Sequence, residues 1–161
     1  MFASDLQRAT DTAAIMAADF VVEAVVVDPD LRERDVGEWS GLTRVEIEQR
    51  WPGYLTELAS GTRVDGAQRE VRRPPSYEPD DAVIDRAVAA VGRALESVAG
   101  GTGLVVTHGG LIYTLEVYLG ASWQRMANLE GRWFVDGETG LRLGDRVMLV
   151  DSATVTVPGQ L

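Results

Sequence analysis

The spacing of apolar positions divides the chain into helical and extended stretches from its first residues to about position 150. Ala9, Ala13, Met16, Ala17 and Phe20 recur at helical intervals, and Ser4 with Gln7 has the form of a capping box, so a helix is expected to begin near Ser4. Val21–Val27 is rich in valine and predicts a strand, stopped by Asp28-Pro29-Asp30. Thr43 and Glu46 form a second capping-box pattern, opening a helix to about Trp51 that Pro52-Gly53 interrupts; a short helix over Tyr54–Ala59 is expected to follow. From Gly61 to Tyr77 the periodicity is lost while Arg63, Arg69, Arg72 and Arg73 accumulate, which reads as a long loop, functional or solvated.

The strongest helical pattern is capped by Asp80 or Asp81. Val83, Ala87, Val91, Ala94 and Val98 form its apolar stripe, and Gly100-Gly101 stops it. Leu104–Thr107 then reads as a short buried strand, turned by Gly109-Gly110 into the helical run Leu111–Leu119. Arg132–Val135, Leu141–Leu143 and Arg146–Val150 predict short antiparallel strands with turns at Asp136-Gly137 and Gly144. This order implies one α/β domain over 1–161, with helices on both faces of a sheet.

Composition narrows the chemistry more than the fold. Of 161 residues, 45% are apolar and 25% charged, as in ordinary soluble domains, and no apolar run approaches membrane-spanning length. A cytoplasmic location is therefore the expectation. The absence of cysteine excludes disulfides and thiolate metal sites, and a single histidine argues against a zinc site. All 15 basic residues are arginine, which removes a P-loop lysine and Schiff-base chemistry. A net charge of −10 opposes nonspecific binding to nucleic acid or anionic membranes, so an anionic substrate would need a local arginine cluster.

Two positions stand out against that background. His108 lies where a strand passes through glycines into a helix, a place that leaves backbone N–H groups free to favour an anion. It is either poised beside a bound phosphate or packed in a turn. Arg8 falls in the first turn of the opening helix, unfavourable against the helix dipole unless an anion is near; the plain alternative is an exposed arginine. Between them, Leu31–Gly41 is a charged loop able to bring a carboxyl group to a reacting centre, or simply a solvated surface. Gly37-Glu38-Trp39-Ser40-Gly41 is not a nucleophile elbow, since Ser40 is one position late. Gly101-x-Gly103 precedes a strand and so does not form a dinucleotide-binding turn.

Three elements now stand in order: Ser4-Asp5-Leu6-Gln7-Arg8-Ala9 with Thr12-Ala13, Leu31-x-Glu33 with Gly37-x-Trp39-x-Gly41, and Val106-Thr107-His108-Gly109-Gly110. The set resembles the histidine phosphatase superfamily, the phosphoglycerate mutase-like enzymes, from Ser4 to about Asn128. The resemblance implies a three-layer α/β sandwich with a mostly parallel sheet flanked by helices. It further implies that Arg8 holds phosphoryl oxygens, that Glu33 serves as general acid and then base, and that His108 donates to the phosphoryl group, with the Gly109 amide beside it. Arg34 is a candidate substrate contact. No cofactor or metal is implied, and the partner is a small phosphorylated molecule; nucleic acid and membrane are not expected, and the oligomeric state is open.

The sequence departs from the family at one decisive point. The family nucleophile is a histidine in an Arg-His-Gly motif ending a first, central strand, and no such motif occurs here. The expectation is a phosphomonoester hydrolase of the phosphohistidine type lacking its nucleophile and its first central strand, and therefore inactive as it stands. Either Met1 is internal to a longer reading frame, or the chain is truncated. Pro74-Pro75-Ser76-Tyr77-Glu78 also replaces the family's proline-glycine-glutamate-serine pattern. The alternatives are a non-catalytic phosphate-binding or regulatory domain on the same scaffold and a phosphoglycerate mutase-type phosphotransferase. The short span between Glu33 and His108 favours the phosphatase.

Overall fold

The computed structural model describes residues 1–55, 72–138 and 140–151. Outside them lie most of the expected helix Tyr54–Ala59, and Arg63 and Arg69 of the long loop. The described residues form two compact units, one of 1–34 with 80–151 and one of 35–55 with 72–79.

The first unit is built on a strand that no apolar pattern announces. Phe2–Ala3 (β1) runs parallel between Val26–Val27 (β2) and Val105–Val106 (β3), with Phe2 opposite Val26 and Val105. Two residues are too few to show alternation, yet both are buried, while the valines of the edge strand β2 are half exposed. The predicted strand Val21–Val27 is thus reduced to its last two residues. Among the described residues β3 pairs with β1 alone.

The opening helix, Gln7–Asp19 (α1), buries Ala9 and Ala13 as its pattern predicts. The Ser4–Gln7 capping box does not form: Leu6 is the N-cap residue, and Ser4 is buried at the end of β1. The long helix Asp80–Val98 (α3) buries Val83, Ala87, Ala90, Val91 and Ala94. Its stripe splits between two clusters, Ala90 and Ala94 packing with Phe2 and Leu31. Ala87 and Val91 instead meet Leu111 and Leu115 of the helix Gly109–Tyr118 (α4). Among the described residues no helix is long and apolar enough to cross a membrane.

The three short C-terminal strands expected from sequence are in fact two long ones, Glu130–Gly137 (β4) and Gly140–Met148 (β5), in one antiparallel hairpin. Gly144 is not a turn. It lies within β5 opposite an irregularity between Arg132 and Phe134, where a Cβ would come 2.8 Å from that of Trp133. Phe134 and Leu141 lean on the cluster of α3 and α4. Beneath the hairpin, the fully buried Glu116 of α4 sits between two guanidiniums. Arg146 donates to both of its carboxylate oxygens (2.9 and 2.6 Å) and to the carbonyls of Gln124 and Arg125. Arg132 Nε stands 3.0 Å from Oε1 but off-line for a hydrogen bond.

The second unit carries the Gly-x-Trp turn Gly37–Trp39 and a helix, Arg44–Arg50 (α2), whose Thr43–Glu46 capping box forms as predicted. Trp39 is buried edge-on to Trp51, Tyr54 and Tyr77 at 5.9–6.5 Å. Gly37 adopts φ +58°, and a Cβ there would overlap the backbone of Pro75–Tyr77, so both the angle and the space require glycine.

Removing the buried carboxylate leaves the Arg132 and Arg146 guanidiniums with only the longer Arg146–Glu130 contact (3.5 Å) as counter-charge. Glu116→Ala is expected to cost about 3–5 kcal/mol in urea unfolding, and a loss below about 1 kcal/mol would contradict this account of the hairpin's attachment.

Candidate active site

The carboxyl ends of the parallel strands bring four groups of the first unit together. His108 follows β3 and is the N-cap residue of α4, so its extended backbone aims the ring back across the sheet. The ring is buried and bridges two partners. Arg8 Nε, from the first turn of α1, donates to Nδ1 at 3.2 Å, and Nε2 stands 2.9 Å from Ser4 Oγ. Arg8 itself is exposed, and its terminal nitrogens have no partner among the described residues. An uncommitted guanidinium edge therefore faces solvent beside a fixed imidazole at the start of α4.

Glu33 closes a third side. Its Oε1 accepts the N–H of Arg34 (2.9 Å) and its Oε2 the N–H of Gly110 (3.2 Å). A Cβ at position 110 would overlap this carboxylate, so the second glycine of the motif lets Glu33 come this close, and a side chain there would make the carboxylate swing aside. Gly109 opens α4 next to it. Arg34 lies beside the first turns of α4: its Nη2 donates to Thr114 Oγ1 (2.8 Å) and pairs with Asp80 (2.7 Å). Arg32 Nε likewise donates to Asp5 Oδ1 at 2.6 Å.

Two residues that sequence reasoning missed hold the site together. Arg86 of α3 donates to the carbonyls of Asp30 (2.8 Å), Arg32 (2.7 Å) and Glu33 (3.4 Å), pinning the loop that carries the carboxylate. Ser4 anchors the ring. Neither could be found locally, because their partners lie more than 50 positions away in the chain.

Burial pushes the His108 imidazole below its ordinary value of 6.5, and the Arg8 guanidinium pushes the same way, against the opposite pull of Glu33. The ring is thus held neutral, a proton acceptor beside a cation.

The sequence profile of the histidine phosphatase superfamily (branch 1) matches residues 1–148. This chain belongs to that superfamily. Phosphoglycerate mutase-like protein 4 of Arabidopsis thaliana is 35% identical over 115 residues, covering 71% of this chain and 47% of its own length. The metal-independent phosphoserine phosphatase of the same plant is 29% identical over 152 residues, covering 94% of this chain and 59% of its own. The chain therefore spans about half the length of these relatives. Among solved structures, the mycobacterial glucosyl-3-phosphoglycerate phosphatase superposes with a TM-score of 0.69 at 26% identity, over 89% of this chain and 73% of that one. The fold is thus that of the phosphoglycerate mutase-like histidine phosphatases, as the ordered motifs imply.

Gly110→Ala is expected to push the Glu33 carboxylate aside with less than about 1 kcal/mol change in stability; an unchanged Glu33 position in a structure of the variant would contradict this. The depressed imidazole also has a pH signature. Above about 6.5 the ring is neutral folded and unfolded, and its full contribution to stability is present. Below 6.5 the unfolded chain takes a proton that the folded ring refuses, so stability is lost as pH falls through the folded value. Urea titrations between pH 7.5 and 5 should show this fall, and His108→Gln should flatten it.

Proposed function

We propose that this chain carries the phosphate clamp and the acid–base group of a phosphomonoester hydrolase, without the nucleophile. The carrying observation is the convergence of Arg8, His108 and Glu33 at the start of α4, within a chain of this superfamily. Phosphoryl transfer is served chiefly by positioned positive donors around the equatorial oxygens, and by a group that passes a proton to the leaving oxygen. In this reading Arg8 binds two phosphoryl oxygens through its uncommitted nitrogens, and the Gly109 amide and His108 take further oxygens. Where a nucleophile outside these 161 residues takes the phosphoryl group, protonated Glu33 would give its proton to the leaving alkoxide, and the resulting carboxylate would then deprotonate the water that releases phosphate. Arg34 has a supporting role, through Thr114 and Asp80, in shaping the wall of the substrate pocket.

The relatives named for phosphatase activity make a small phosphorylated metabolite the expected substrate class. The single histidine is already fixed by Ser4 and Arg8, and no Arg-His-Gly occurs in the 161 residues. A phosphohistidine therefore has no residue on which to form by the family route. The commitment of His108 to Ser4 and Arg8 also fits a second reading, a phosphate-binding domain that performs no chemistry; an in-frame Arg-His-Gly encoded upstream of Met1 would decide for the enzyme.

Two measurements test the proposal. The 161-residue chain should not hydrolyse an aryl phosphate ester, and turnover abolished by His108→Ala would overturn the claim that a nucleophile is lacking. Inorganic phosphate should bind, and Arg8→Ala should weaken it by about 1.5–3 kcal/mol, roughly 10- to 150-fold; equal affinity in the variant would remove Arg8 from the clamp.

A further inference from the structure

The hydrogen bonds around His108 fix where its protons can be. A guanidinium has no acceptor, so Arg8 Nε–H can approach Nδ1 at 3.2 Å only if Nδ1 carries a lone pair. The neutral ring then holds its one hydrogen on Nε2, and Ser4 Oγ, 2.9 Å away, receives it. The same hydroxyl oxygen accepts the N–H of Leu6 at 3.3 Å. Ser4 is wholly buried at the end of the central strand, so this acceptor is rigid and shielded from water.

From this we infer that an anion entering the Arg8 clamp binds together with a proton taken up at His108 Nδ1, and that Ser4 is the positioning residue that sends the proton to that nitrogen. The inference rests on the phosphate-binding reading above. Without an anion, a proton on Nδ1 would set imidazolium against guanidinium at hydrogen-bonding distance. An arriving dianion held by the terminal nitrogens of Arg8 also draws the Nε–H off Nδ1 and offers the ring nitrogen an acceptor in its place. Nε2 is already committed as a donor to Ser4, so the added proton, drawn from solvent, lies on the anion's side of the ring.

The other charged groups that act on the ring come from every element around it. Asp5 in the turn before α1 and Glu33 in the loop after β2 favour the imidazolium, whereas Arg8 of α1 and Arg86 of α3 oppose it. Burial and the nearer cation act together against the imidazolium, so the free ring is neutral and a bound dianion supplies the negative charge that reverses the balance.

His108 is the chain's only histidine, so nitrogen-15 NMR of a histidine-labelled chain, freed of any histidine tag, shows one imidazole. The Nε2–H tautomer is expected without ligand. Saturation with inorganic phosphate should raise the ring's midpoint by about one pH unit or more, and by reciprocity phosphate should bind the protonated form about tenfold more tightly. Ser4→Ala should admit the Nδ1–H tautomer, and Ser4→Thr, which restores the hydroxyl, should suppress it again. An Nδ1–H ring in the free wild-type chain, or phosphate saturating without any change in ring protonation, overturns the inference and leaves the phosphate clamp standing. Failure of phosphate to bind at all overturns the clamp and this inference together.

Discussion

The hydrogen bond from Arg8 Nε to His108 Nδ1 spans a hundred positions of sequence, and the rest of the first unit exists to make it possible. β1 lies between β2 and β3, so the turn into α1 and the turn into α4 leave adjacent strands at the same end of the sheet. A parallel sheet gathers its helix N-termini and loops at the carboxyl ends of its strands, which is where α/β folds place ligands. Phe2 is buried against Ala90 and Ala94 of α3, and Ala3, pointing to the other face, is fully buried as well, so the central strand is fixed despite its two-residue length.

Charge is distributed with the same economy. A chain of net charge −10 repels anions over most of its surface, and the arginines near the site differ in what they have left to give. Arg32 is matched by Asp5, Arg34 by Asp80, and Arg86 is spent on three carbonyls of the Glu33 loop. Arg8 alone of these uses only Nε within the site and keeps its fork toward solvent. In the proposed reading an anion is drawn to that one uncommitted edge, set beside a ring kept neutral until a ligand arrives.

Long periodic segments were legible from sequence. The stripe of α3 and the Thr43–Glu46 box of α2 are repeated local signals that tertiary contacts reinforce. Short or competing signals were not. β1 has no period to read, and Ser4 satisfies a capping-box pattern while its hydroxyl serves a buried imidazole 104 residues away. Gly144 looks like a turn, but its lack of a side chain accommodates Trp133 across the hairpin. Of the site, Arg8, Glu33 and His108 stood out through ordered motifs, whereas Arg86 and Ser4 act through partners that no local window contains.

The convergence of those three side chains on one anion-sized hollow is tested most directly by a crystal structure of the chain grown with orthovanadate. The account predicts an oxyanion held by the terminal nitrogens of Arg8 and by His108 Nδ1, with the Glu33 carboxylate beside it at the start of α4. An oxyanion bound elsewhere, or Arg8, Glu33 and His108 found on separate faces of the molecule, would contradict it.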